Sequence, residues 1–428
     1  MQSLFSAVIS RYAALFIQFL LVILIARHLS KDDAGYYFSI FGLIATGFCL
    51  SGFGLPDGIM KLCSELIASN NIGSLSKTVE KVCVFSAVTS VFIASTALTV
   101  AVYLGAGIYI SILSSIWWFN YAMLFLFSQI IIGIGRVSLG TFLFYTSINI
   151  ALLTTTIPYI IFSQDISLNG IVLANVIGSG LAMLSSFVVL INCRRGFPAN
   201  GPAEPILPIL VTGAHLAGAR IMQASLAWLP VWGATLFIGP AAGGSLGAAS
   251  RLLVAVTGVI ASLRFSVRPE IVKKFYANDW SGIARISNSI ALAALIVTLI
   301  AIIGNITLGD TILPFVLGDK YVGISLTLSL MLIGAVGEAM GGPVDEVLKM
   351  TGKAKIVSFT LIMALLVESV LIYFTSQFGL NAIALSQGGV FCAMYLAQVI
   401  YLKRYAGIWI SPFIPIFRII SNGWSRGR

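Results

Sequence analysis

Long apolar runs follow one another along this chain to within about thirty residues of its C-terminus, and they leave few folds open. In hydrocarbon every backbone N–H and C=O must be satisfied within the protein, so successive runs of this kind have to be helices. At about 1.5 Å per residue, roughly 20 apolar residues cross a core of about 30 Å. Twelve segments qualify, at about 4–27, 35–56, 82–105, 114–135, 141–163, 170–192, 206–238, 245–264, 285–308, 322–348, 356–376 and 381–402. Only 9% of the 428 residues are charged, against about 25% in an ordinary soluble domain. The chain therefore reads as an all-α polytopic membrane protein.

Charge placement supplies the topology. The net charge of +10 does not point to nucleic acid, because the basic residues are scattered over short loops between apolar segments. With a cytoplasmic N-terminus, the inner loops and tail hold 19 of the 25 Lys and Arg, and the outer loops hold only Arg27, Lys31 and Lys320. One missed helix would invert every later loop, so this asymmetry supports an even number of spans with both termini inside. The first residues lack a basic n-region and an A-x-A-like site, and no cleaved signal is expected. The five cysteines form no CxxC pair and have no His cluster beside them, which speaks against a disulfide framework or a zinc site.

The chain also repeats itself. Arg11 lies about seven residues inside the first span, and Arg220 lies 209 positions later in the seventh. The same offset carries Gly35 onto Gly244 and Ala68 onto Ala277, and an offset of 217 carries QIIIGIGR (129–136) onto EVLKMTGK (346–353). Two amphipathic inner loops, 58–81 and 267–285, occupy matching places, with their basic faces expected at the lipid headgroups. The second register makes Gly341-Gly342-Pro343 a kink within span ten. The expected organisation is an N-terminal lobe over 1–193, a cytoplasmic linker over 194–205, a C-terminal lobe over 206–403 and a basic cytoplasmic tail over 404–428. The two pseudo-symmetric six-helix lobes are expected to surround a central cavity.

Charges inside spans are costly against lipid and point to function by default. Arg11, Arg220 and Arg251 are the intramembrane cations; Glu338 and Glu368 are the carboxylates, with Asp57 at the inner end of span two and His215 titratable. Pseudo-symmetry would set Arg11 and Arg220 across the lobe interface from each other. Guanidinium binds pyrophosphate through a planar fork, so an anionic substrate suits the pair. Gln18 shares the helix face of Arg11, with sugar hydroxyls or a neighbouring helix as its partner. Salt bridges to the glutamates are the structural alternative for the arginines. Asp32-Asp33 reads as a helix start, Gly337–Gly341 as helix packing, and Trp117-Trp118 as an outer interfacial marker. There is no G-x-x-x-x-G-K-[ST], since Gly352-Lys353 is followed by Ala354, and hence no ATPase of its own.

The arginine-bearing first span, the ARHLSKDDAGYYFSIFGLI turn into span two and the GIGR and TGK turns resemble the Wzx-type polysaccharide and O-antigen flippases. These belong to the multidrug/oligosaccharidyl-lipid/polysaccharide (MOP) exporter superfamily. The resemblance runs over nearly the whole chain. It implies translocation of an undecaprenyl-pyrophosphate-linked oligosaccharide across a bacterial inner membrane by alternating access. It also implies lipid as the surroundings, polysaccharide polymerase and assembly proteins as partners, and no cofactor beyond a coupling proton or sodium ion. For that ion the candidates are Glu368, Glu338 and Asp57. The rival readings are a multidrug exporter of the same fold and a membrane-embedded, polyprenyl-phosphate-using glycosyltransferase or polymerase. The enzyme would need catalytic groups at the outer face, where the loops are short.

Overall fold

The computed structural model describes residues 2–69, 72–103, 107–195, 197 and 201–414, apart from the side chains at 2–12, 72, 215 and 216. The first half runs α1 (Gln2–His28), α2 (Lys31–Gly47), α3 (Leu55–Ala68), α4 (Leu75–Tyr103), α5 (Ile108–Gly133), α6 (Val137–Thr141), a π-helical turn (Phe142–Ser147), α7 (Ile148–Phe162) and α8 (Leu168–Arg194). The second runs α9 (Ile206–Phe237), α10 (Pro240–Ser266), α11 (Arg268–Tyr276), α12 (Trp280–Leu317), α13 (Ile324–Gly341), α14 (Val344–Met350), α15 (Ala354–Thr375) and α16 (Leu380–Ala406). No strand occurs among the described residues. Nine helices there are long and apolar enough to cross a membrane, and α9, bent by 41°, makes ten. Ala13–His28 of α1 is a further, shorter apolar helix among the described residues. The protein is an all-α, multi-pass membrane protein.

The duplication appears in the helix order. α2 and α10 begin at Lys31 and Pro240, α5 and α13 at Ile108 and Ile324, and α8 and α16 at Leu168 and Leu380. The short α3 and α11 fall where the two amphipathic inner loops were expected. Residue packing divides the chain between Ser225 and Leu226, inside α9. The sequence boundary at 206 is thus where α9 begins, while its first half packs with the preceding residues. The linker is docked there as well: Gly201 N–H donates to the Gly73 carbonyl (2.9 Å) and Glu204 N–H to Thr78 Oγ1 (2.9 Å).

In the first unit α5 is the central helix, packed on α3, α4 and α8. Leu124, Leu126, Ile130 and Ile131 are fully buried along it. Polar side chains join the helices where water is absent. Asn120 donates to Ser179 Oγ (3.1 Å), and Asn175 donates to the Tyr37 hydroxyl (3.1 Å). In the second unit α13 has the corresponding place, against α12 and α16. Gly337 is required there, because a Cβ would lie 2.5 Å from the Cys392 backbone. Outward residues such as Phe92, Ile300 and Ile303 are apolar and exposed, as lipid contact demands.

Several expectations change. Span two ends at Gly47, not near 56. Phe53 and Gly54 adopt φ of 47° and 90°, and Pro56 then opens α3. Asp57 therefore lies in the first turn of a separate helix. Span nine runs on to Leu317, so the expected outer loop over 309–320 is mostly helix. Trp117 is not an interfacial marker. It is fully buried against Tyr37 and Phe41, while Trp118 donates to Ser51 Oγ (2.6 Å). Span ten does break where the repeat places a kink: Gly342 has φ 53°, and α14 resumes after Pro343. Asp33 serves the start of α2, its N–H donating to Ser30 Oγ (3.0 Å).

Candidate functional site

Among the described residues of the first unit, Asp57 and Arg220 form an ion pair. Asp57 sits three residues into α3, where a carboxylate complements the helix N-terminus, and it is 3% exposed. Arg220, on the first half of α9, donates through Nη2 to Asp57 Oδ1 at 2.8 Å. Its guanidinium carbon lies 4.7 Å from the centroid of Phe125 on α5, within cation–π range. The backbones of α3 and α9 meet at glycines. A Cβ on Gly213 would fall 1.8 Å from the Gly54 carbonyl oxygen, and one on Gly58 would fall 2.1 Å from that of Ile209. This close crossing brings Arg220 to Asp57. The arginine side chain remains 39% exposed. A guanidinium carries five N–H donors, so the pair combines a fixed orientation with capacity for an anion.

The second unit carries a larger network. Arg264, near the end of α10, donates through Nη1 to Glu338 Oε1 (2.6 Å) and the Tyr395 hydroxyl (2.8 Å), and through Nη2 to Asp345 Oδ2 (3.4 Å). Lys349 bonds Asp345 (2.9 Å) and Glu346 (3.2 Å), and Arg268 Nε donates to Glu346. Three cations thus meet three carboxylates, with Arg264 and all three acids buried. Glu338 precedes the break at Gly342 and Asp345 follows it, so Arg264 clasps both sides. Sequence counted Arg264, the last residue of the expected span 245–264, among the inner cations and missed this role. The available signal was three carboxylates within 338–346 of an apolar span, which need cations nearby.

Of the remaining candidates, Glu368, on α15, is fully buried and accepts from Ser386 Oγ on α16 at 3.3 Å. Arg251 lies 4.1 Å from the Trp228 ring. Gln18 is half-buried on α1. Arg11 is on α1 and His215 on α9, but their side chains lie outside the described residues. Of the proposed sites, Arg220 and Asp57 are thus brought together, the cation candidate with a coupling candidate. Glu338 is occupied by Arg264. No group of His, Cys, Asp and Glu suited to a metal occurs among the described residues.

No protein-family model and no curated protein matches the sequence. Solved structures do. An inward-facing multidrug resistance MATE family transporter of the MOP superfamily aligns at a TM-score of 0.74 with 12% identity, over 94% of this chain and 98% of that one. The lipid II flippase MurJ, inward closed, aligns at 0.67 with 14% identity, over 94% and 87%. A MOP-superfamily transporter of Pyrococcus furiosus, described as having a binding pocket of reverse polarity, aligns at 0.57 with 14% identity, over 95% of each chain. At such identities the likeness is one of architecture, and this chain has the fold of the MOP-superfamily transporters.

Proposed function

We propose that this protein is a flippase that moves an undecaprenyl-pyrophosphate-linked oligosaccharide, the repeat unit of O-antigen or another surface polysaccharide, from the cytoplasmic to the periplasmic leaflet of a bacterial inner membrane. One observation carries the reading. Arg220, a permanently charged group in an apolar helix, is held half-exposed on Phe125 by a buried carboxylate. The ion pair leaves other N–H donors of this half-exposed guanidinium over, and a diphosphate site needs such donors. The fold supports the class, since one of its solved examples is a lipid II flippase. The topology proposed with it has both termini in the cytoplasm, and the cycle is alternating access. Arg11 is the repeat-related second cation, with Arg251, His215 and Gln18 as further binding candidates. Glu368, buried beside Ser386, is the first candidate for a coupling proton or sodium ion.

The multidrug reading rests on the MATE fold match. Proteoliposomes separate the alternatives. The flippase reading expects an undecaprenyl-pyrophosphate oligosaccharide to change sides without any new covalent bond, and Arg220→Ala to abolish this. Transport of organic cations with no movement of the sugar-lipid would establish the exporter. Sugar-chain growth from the same lipid would establish the enzyme.

A further inference from the structure

The outward face of α16 carries Gly389, Ala393 and Ala397, four residues apart and exposed. A groove lies on each side of this small-residue stripe. One, of about 430 Å³, runs between α16, α13 and the segment after α16, past Met340, Leu396 and Trp409. The other, of about 260 Å³, runs between α16 and α15, past Phe359, Met363 and Val367. Ala393 lines both. The neighbouring exposed residues Ile333, Leu385 and Ile400 are apolar, so this face is suited to hydrocarbon rather than water.

One end of the α15–α16 pair is basic. Lys403 and Arg404 are exposed in the last turn of α16, and Lys355 is exposed in the first turn of α15. Lys403 Nζ lies 5.1 Å from the ring of Trp409, which lines the larger groove. Over residues 351–428 the chain has seven Lys and Arg and one carboxylate, Glu368, buried 13 residues along the helix from Lys355. From Cys392 to Lys403 the helix rises about 16 Å, close to half of a hydrocarbon core of about 30 Å.

We infer that α16 is straddled by one anionic phospholipid, with an acyl chain in each groove and the headgroup phosphate on Lys403, Arg404 and Lys355. Two apolar channels sharing one alanine, with the same helix end basic about one leaflet's depth from Cys392, match a two-chain lipid of negative charge. Basic pockets between membrane helices are recognised sites for such headgroups. This inference is independent of which substrate the protein moves.

Native mass spectrometry of the full chain, released from nanodiscs of mixed phosphatidylglycerol and phosphatidylcholine, tests it. The protein should retain phosphatidylglycerol preferentially. Ala393→Trp, which fills both grooves from their common wall, should cut retention about tenfold. Lys403→Gln with Arg404→Gln should remove the preference for the anionic lipid. Ile300→Trp, on the exposed face of α12, is the control and should retain lipid like the parent, with unchanged melting. Equal retention of the two lipids by the parent, or undiminished retention by Ala393→Trp, would overturn the inference. So would a disulfide-linked dimer of Ala393→Cys in native membranes, which would put a second copy over the stripe.

Discussion

The proposed site predicts that Arg220 and Asp57 can be separated in their effects on stability and on transport. Asp57 is buried and Arg220 is partly exposed, so Arg220→Ala leaves a carboxylate without its cation. The loss should be roughly 1–3 kcal/mol, below the 3–5 kcal/mol of a fully buried pair. Arg220→Ala combined with Asp57→Asn should recover most of that stability and still fail to move sugar-lipid. Arg220→Lys should transport only weakly, because the planar fork is gone. Thermal unfolding in detergent and proteoliposome transport measure the two effects. Normal transport by the double variant would reduce the arginine to a structural role. Arg220 was legible in the sequence as a candidate, a guanidinium inside an apolar run. Its partner was not, because it lies 163 positions away and is placed by the turn that ends α2 at Gly47. The same limit explains Trp117, whose position in a span left open whether the ring faced lipid or packed inward.

Among the elements, the broken pair α13–α14 is the least expendable. A Cβ on Gly342 would lie 3.0 Å from Ala291 Cβ and the Ser287 carbonyl, at a φ of 53° that a side chain rarely adopts. Gly342→Val should therefore displace α14 from α12 and lower the melting temperature, more than Gly389→Val, whose Cβ would meet nothing within 4 Å. Arg264→Met should cost about 3–5 kcal/mol, since it leaves buried Glu338 without its cation, while Asp345 keeps Lys349. A melting temperature within a degree of the parent would refute the clasp. At the start of α12, Asp279 accepts from Gly282 N–H (2.7 Å) and Lys274 (3.1 Å), which hold its carboxyl at about 2, against an ordinary 3.8. A depressed carboxyl stabilises the fold above its ordinary value and loses that effect as pH falls to about 2. Amides 281–283 should exchange faster in Asp279→Ala than in the parent at pH 5, with the difference shrinking toward pH 2. Helix number and order were readable from apolar run length. The ends of α2 and α12 were not, because apolar residues continue through the turn after Gly47 and on past 308 to Leu317.

For the whole molecule, what drives transport depends on which charges move. The repeated helix order was legible in the matching short loops, since a repeat leaves the same residue types at a near-constant offset. The coupling is not encoded that way. Cysteines introduced at 241 and 320 should react with an impermeant reagent in intact cells, and those at 273 and 353 only after permeabilisation; labelling at 194 from outside would refute the orientation. With that orientation, we predict that membrane potential alone drives net outward flipping. A pyrophosphate diester carries about two negative charges, and the cell interior is negative, so its exit is downhill. At about 2.3 kcal/mol per charge per 100 mV, two charges crossing the full field gain roughly 4–5 kcal/mol. Each 1.4 kcal/mol is about a tenfold bias, which makes the total about a thousandfold when the arginines stay while the anion passes. A cation returning inward on Glu368 would add its own charge movement and its own gradient to the cycle. Proteoliposomes under a potassium-diffusion potential, without proton or sodium gradients, separate these cases. Transport should reverse its net direction with the sign of the potential and persist in Glu368→Gln. Net transport that ignores the sign, follows an imposed ion gradient and stops in Glu368→Gln would place the coupling on that carboxylate instead.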